Sequence, residues 1–215
     1  MKVPEEYNAS IAGMSIEECA VYTKERWNLE ESTEDIIDEW NEGVRRQYLE
    51  KIGLKPGAKE YLQMLKKRGV ILGVATALST ELLVPCLKRL QVYSLFDAVV
   101  SVDQVDCGGK KTAAVYTRAM GQMGIKPEEC VIFEDTLAGI EEAKRTGARV
   151  YCMSDEVSRR LQPEIEKRSD SLFENFFELL PGQRELLPDG EEKAFAAGIR
   201  ACGLRAADEK NELSD

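Results

Sequence analysis

From Pro56-Gly57 to about residue 153 the chain alternates short apolar runs with amphipathic stretches. The apolar runs are Val70–Thr76, Phe96–Val102, Val131–Phe133 and Arg149–Met153. Each is short and bounded by glycine or turn residues, which marks a strand and not a helix. The stretches between them carry helical periodicity, from about Ala58 to Lys67, Ser79 to Leu90, Lys111 to Met123 and Leu137 to Arg145. Gly69, Gly124 and Gly147 close three of these helices. Strands alternating with helices predict an α/β fold with a doubly wound parallel sheet. The near-continuous apolarity of the strands agrees with burial on both faces.

The two ends of the chain break this rhythm. The first fifty residues show no strand pattern. Ser15-Ile-Glu-Glu18 and Ser32-Thr-Glu-Asp35 have the form of helix starts, the second followed by a stripe of Ile36, Ile37, Trp40, Val44 and Tyr48. After Pro181 the chain turns polar and acidic, with one short helix expected around Glu191 to Cys202. Three units are therefore expected: a helical segment over 1–53, an α/β core over 54–180 and a loosely attached acidic tail over 181–215.

Charge narrows the choice of partners. The formal net charge of −10 comes with no basic patch, so nucleic acid is not an expected partner. An acidic surface also repels phosphorylated ligands at long range, so any phosphate site must be built locally from lysine, a metal or backbone N–H groups. The chain contains no histidine, which removes Ser-His-Asp and Cys-His catalysis and His-ligated zinc. Six cysteines without C-x-x-C spacing read as reduced thiols of a cytoplasmic protein. No signal peptide or membrane-length apolar run is visible, so no membrane association is expected.

Candidate chemistry collects at the carboxyl ends of the strands, where α/β sheets usually bind ligands. The third strand ends in two adjacent carboxylates, Glu134 and Asp135, just before a helix. Two buried like charges are costly unless a cation joins them, so the pair points to a divalent metal; the alternative is an Asp capping the next helix. The first strand ends at Thr76, followed by Ala77, Leu78 and Ser79 at a helix start. That arrangement suits an anion, unless Ser79 or Thr80 simply caps the helix. Beyond the second strand, Gly108-Gly109 leads to Lys110 and Lys111, which are either phosphate partners or solvated lysines.

In this order the motifs resemble the haloacid dehalogenase (HAD)-like hydrolase superfamily, in particular its β-phosphoglucomutase-like phosphatases with a helical cap. The resemblance covers roughly residues 1 to 180. Val-Ala-Thr76-Ala-Leu-Ser is similar to the segment whose Thr binds the transferring phosphoryl group, and Gly-Gly-Lys110 to the one whose Lys stabilises it. Val-Ile-Phe-Glu134-Asp135-Thr-Leu-Ala-Gly-Ile resembles the motif whose acids hold Mg²⁺. Ile11-Ala-Gly-Met-Ser15 resembles the entry to the cap, and Leu54-Lys-Pro-Gly57 the return to the core. The resemblance implies a HAD-like, Rossmannoid core with a partial N-terminal helical cap. It also implies Mg²⁺, a small phosphorylated metabolite as substrate, and a monomer or weak dimer. Thr76 and Lys110 take the catalytic roles, Thr76, Ala77 and Lys110 the phosphate contacts, and Asp135 and Glu134 the metal.

One departure is large. The family's Asp-x-Asp-Gly-Thr/Val motif, which supplies the nucleophile and the general acid/base on a central first strand, is absent from this sequence. The expected parent activity is hydrolysis of a small phosphate ester through a phospho-aspartate. The chain as given is expected to lack its upstream segment and to be inactive. The strands ending at Thr76 and Glu134 would flank the vacancy, so a compromised fold is expected: the two strands close on each other, another segment fills the gap, or the protein is unstable. The alternatives are a phosphomutase, a non-catalytic homologue binding a phosphorylated ligand or protein partner, and an unrelated module such as a response-regulator-like domain.

Overall fold

In a computed structural model of the chain, the described residues are Pro4, Tyr7, Ser10, Ile11, 14–105 and 113–181, with the backbone alone of 194–198. They fall into two compact units, residues 1–50 and 51–215.

The first unit holds α1 (Ile16–Trp27) and α2 (Thr33–Arg46), which pack on one another. Both start as the sequence predicts. Ser15 Oγ accepts from the Glu18 N–H while Glu18 accepts from the Ser15 N–H, and Ser32 and Asp35 repeat the arrangement. Each box satisfies two donors that a helix start otherwise leaves open. Tyr7 is buried with its ring 4.8 Å from Trp27, and its hydroxyl lies 2.7 Å from Thr23 Oγ1.

The second unit is an α/β layer structure. Its helices are α3 (Ala58–Lys67), α4 (Thr80–Arg89), α5 (Ala114–Met123), α6 (Leu137–Lys144) and α7 (Gln162–Arg168). Its strands are β1 (Ile71–Thr76), β2 (Ala98–Ser101), β3 (Cys130–Glu134), β4 (Arg149–Met153), β5 (Ser171–Phe173) and β6 (Ala194–Gly198). The sheet order is β2-β1-β6-β3-β4-β5, with every neighbouring pair parallel.

Alternate strand residues feed two cores, as a sheet covered on both faces requires. Leu72, Val74, Val131, Phe133, Tyr151 and Met153 join α3 and α4 residues in one. Val100, Cys130, Ile132, Val150 and Cys152 join α5 and α6 residues in the other. At the entry to α3, Gly57 adopts φ 78°, and a Cβ there would meet the Phe177 backbone nitrogen at 2.5 Å, so no side chain fits.

Two expectations need correction. Residues 194–198, assigned to a loose acidic tail and to a short helix, form β6 instead, between β1 and β3. The vacancy foreseen for a missing central strand is filled by a segment from the other end of the sequence. Of the outcomes considered, this is the one in which another segment fills the gap, and the sheet is continuous. The physical reason is backbone pairing: β1 and β3 would each expose a row of N–H and C=O groups at the sheet centre, and any short apolar segment able to reach them gains two ladders. Sequence pattern also passed over α7 and β5, the second of which extends the sheet beyond β4.

Candidate active site

The carboxyl ends of β1, β3 and β4 carry the polar residues. Thr76 closes β1 in register with Ser101 of β2. Its buried hydroxyl accepts from the Leu78 N–H at 3.1 Å, and the Ser101 hydroxyl donates to the Leu78 carbonyl at 2.6 Å. The turn after β1 is thus held from both sides.

The start of α4 differs from expectation. Ser79 occupies the cap position without a side-chain cap bond. Asp103, from the turn after β2, accepts from the Thr80 N–H and the Thr80 hydroxyl, each at 3.0 Å. The adjoining Ser101 side chain and the Thr80 N–H hold the Asp103 carboxyl below the usual range. Neither Ser79 nor Thr80 caps the helix, and the protein's own carboxylate takes the Thr80 N–H. The Thr80 N–H is therefore not open to an external anion. Lys110 and Lys111 lie outside the described residues.

At the end of β3, Glu134 and Asp135 are both buried. Glu134 Oε1 accepts from the Tyr116 hydroxyl of α5 at 2.6 Å, and Oε2 from the Asp135 N–H at 3.3 Å. Burial, and then the Glu134 charge, push the Tyr116 hydroxyl far above its ordinary value, so it remains a proton donor. A Cβ at Gly139 would come within 2.2 Å of Glu134 Oε2. Only glycine in the first turns of α6 leaves room for that carboxylate. Thr136, not Asp135, caps α6, its Oγ1 accepting from the Gly139 N–H at 3.2 Å. The alternative of Asp135 as a helix cap is therefore excluded.

Lys55 is a site residue that the sequence did not reveal. It is 7% exposed and donates to the Ser154 carbonyl at 3.0 Å and to Asp155 Oδ2 at 2.8 Å, both just past β4. Its Nζ lies 3.8 Å from Asp135 Oδ2. A lysine between Leu54 and Pro56 follows no period, and its partners are a hundred residues away along the chain; only the fold joins them. Tyr116 was equally hidden, because a tyrosine on the apolar face of a helix reads as core. Next to the acids, the Cys152 thiol is pushed up to about 12 by burial first and Asp135 second, so it stays protonated and unreactive. A cavity of about 400 Å³ opens beside Lys55, lined also by Asp155, Glu156, Arg159 and Asn175.

The donor set fits a hard divalent cation. It is all oxygen, it lies at the carboxyl edge of a parallel sheet, and Glu134 is braced by the Tyr116 hydroxyl and a backbone N–H while Asp135 stands in front. Among the described residues no group of three or more acidic, Cys or His side chains gathers, so the remaining ligands would be water and substrate.

Fold and site together define a doubly wound parallel α/β protein with an acid pair at the carboxyl end of β3 and a threonine at that of β1. A profile of the haloacid dehalogenase-like hydrolases matches residues 1–153, and the chain belongs to that family. A phosphorylated carbohydrates phosphatase of Thermotoga maritima is 29% identical over 148 residues, 68% of each protein. Protein CbbY of Rhodobacter capsulatus is 30% identical over 146 residues, 63% of each. The match thus spans about two thirds of the length of these curated relatives. A solved Thermotoga maritima structure, described as a candidate β-phosphoglucomutase, superposes with a TM-score of 0.71 at 26% identity, covering 86% of this chain and 85% of that one. Among the described residues no helix is long and apolar enough to cross a membrane.

Proposed function

We propose that this chain carries the ligand-binding half of a Mg²⁺-dependent phosphatase site for a small phosphorylated metabolite. The observation that carries the reading is the buried Glu134–Asp135 pair, braced by Tyr116 and cradled on Gly139, on a strand whose sheet also presents Thr76. Asp135 would hold the cation with Glu134 behind it. Bound there, Mg²⁺ would neutralise charge on a transferring phosphoryl group. The Thr76 hydroxyl would donate to a phosphoryl oxygen beside the Ala77 N–H, and Lys110 would add a positive charge. Residues 1–53 would correspond to a partial helical cap. The name of the Thermotoga phosphatase supports a phosphorylated sugar as the substrate class. Free thiols at Cys19, Cys86, Cys130 and Cys152 support a reducing, cytoplasmic setting.

A second reading is favoured by one specific observation. The central strand, which in the parent reaction presents the nucleophile, reads Ala-Phe-Ala-Ala-Gly here and has no carboxylate. Without a nucleophile the covalent step cannot start. We therefore propose binding without turnover for this chain, whether the parent chemistry is hydrolysis or mutase transfer. Para-nitrophenyl phosphate with Mg²⁺ tests it. No hydrolysis above buffer is expected, and turnover that disappears in Asp135→Ala would refute the non-catalytic reading while upholding the site.

A further inference from the structure

We propose that Lys55 is the built-in countercharge of the acid pair, and that its ammonium sets how weakly Asp135 takes a divalent cation. The inference rests on the reading of Asp135 as the cation's ligand. The geometry divides the work of the ammonium. Its two hydrogen bonds go to the exit of β4, at Ser154 and Asp155, whereas the 3.8 Å approach to Asp135 is an ion pair without a hydrogen bond.

Both ends of this arrangement are fixed. Asp155 Oδ1 accepts from the Val157 N–H at 3.0 Å. The Lys55 carbonyl accepts from the Ala58 N–H at 3.0 Å, and the Pro56 carbonyl from the Phe176 N–H at 2.9 Å. The backbone that carries Lys55 and the carboxylate that receives its ammonium are therefore both held in place. One carboxylate is enough to compensate a buried ammonium. The second contact, with Asp135, couples that charge to the candidate metal ligand. The one ammonium is thus shared between Asp155, which it bonds, and Asp135, whose charge it offsets only in part. Two of the three Nζ donors are spent inside the protein, and the role assigned to Lys55 here is that of a positioning residue acting through Asp135.

The test is Mn²⁺ binding to the full chain, read from the free-ion EPR signal at low ionic strength. Lys55→Met should bind Mn²⁺ on the order of tenfold more tightly, because a like charge a few ångströms from the ligand has gone. Lys55→Arg, which keeps the charge, should stay within about twofold of wild type, a rescue that a purely structural role does not predict. Equal or weaker binding by Lys55→Met overturns the inference. If circular dichroism shows that Lys55→Met does not fold, the ammonium is read directly in wild type by ¹⁵N-lysine NMR during Mg²⁺ addition. A shifted Lys55 resonance supports the coupling and an unmoved one overturns it. Asp135→Asn separates the two readings. Loss of binding in that variant together with an unaltered Lys55→Met defeats only the inference, whereas Mn²⁺ binding that ignores Asp135 defeats the site as well.

Discussion

Glu134 and Asp135 are neighbours in sequence with different surroundings. Glu134 is turned into the protein, with Tyr116 on one oxygen and Gly139 beneath the other. Asp135 is turned toward Lys55. The adjacency of the acids was visible in the sequence, but their division of labour was not, because the residues that enforce it come from α5, α6 and the loop before α3. Gly139 gives the most direct check. In Gly139→Ala the new methyl must displace a carboxylate pinned at both oxygens, an overpacking that should cost about 1–3 kcal/mol. Thermal unfolding should show that loss, and Mn²⁺ binding should weaken with it. A variant with wild-type stability and affinity would mean that Glu134 is not braced as described.

Among the elements, β6 departs furthest from expectation. The four strands β1 to β4 announced themselves by apolar runs, and the helices between them by periodicity, because each buries a face that its own residues encode. β6 has no such signal. Its Ala-Phe-Ala-Ala-Gly run suits a short helix as well as a strand, and only the two open ladders of β1 and β3 decide between them. Ala196 is paired with Gly73 on one side and Ile132 on the other. Proline there removes a ladder donor at the centre of the sheet and leaves a carbonyl unpaired, which should cost about 2 kcal/mol or more. Urea unfolding of Ala196→Pro checks this; an unchanged midpoint would show that the sheet does not depend on the strand.

Across the whole molecule the acidic balance sets the sign of long-range forces. A net charge of −10 draws divalent cations and repels phosphate, so the two ligands should respond oppositely to salt. Raising ionic strength from about 0.01 M to 0.15 M shortens the screening length from about 30 Å to about 8 Å. Calorimetry should then show Mn²⁺ binding weakened and inorganic phosphate binding strengthened. Phosphate binding that also weakens would mean that local positive charge outweighs the surface field.

The alternation of strands and helices, the paired capping boxes, the acid pair and Thr76 could all be read along the chain, because each depends on residues a few positions apart. The tertiary structure alone decided that Asp103 caps α4, that Lys55 stands beside Asp135, that Tyr116 braces Glu134, and that residues 194–198 complete the sheet. Each of these joins segments from separate elements. Such contacts arise from the need to pair buried charges and backbone groups once the chain has closed, and that need leaves no local periodicity in the sequence.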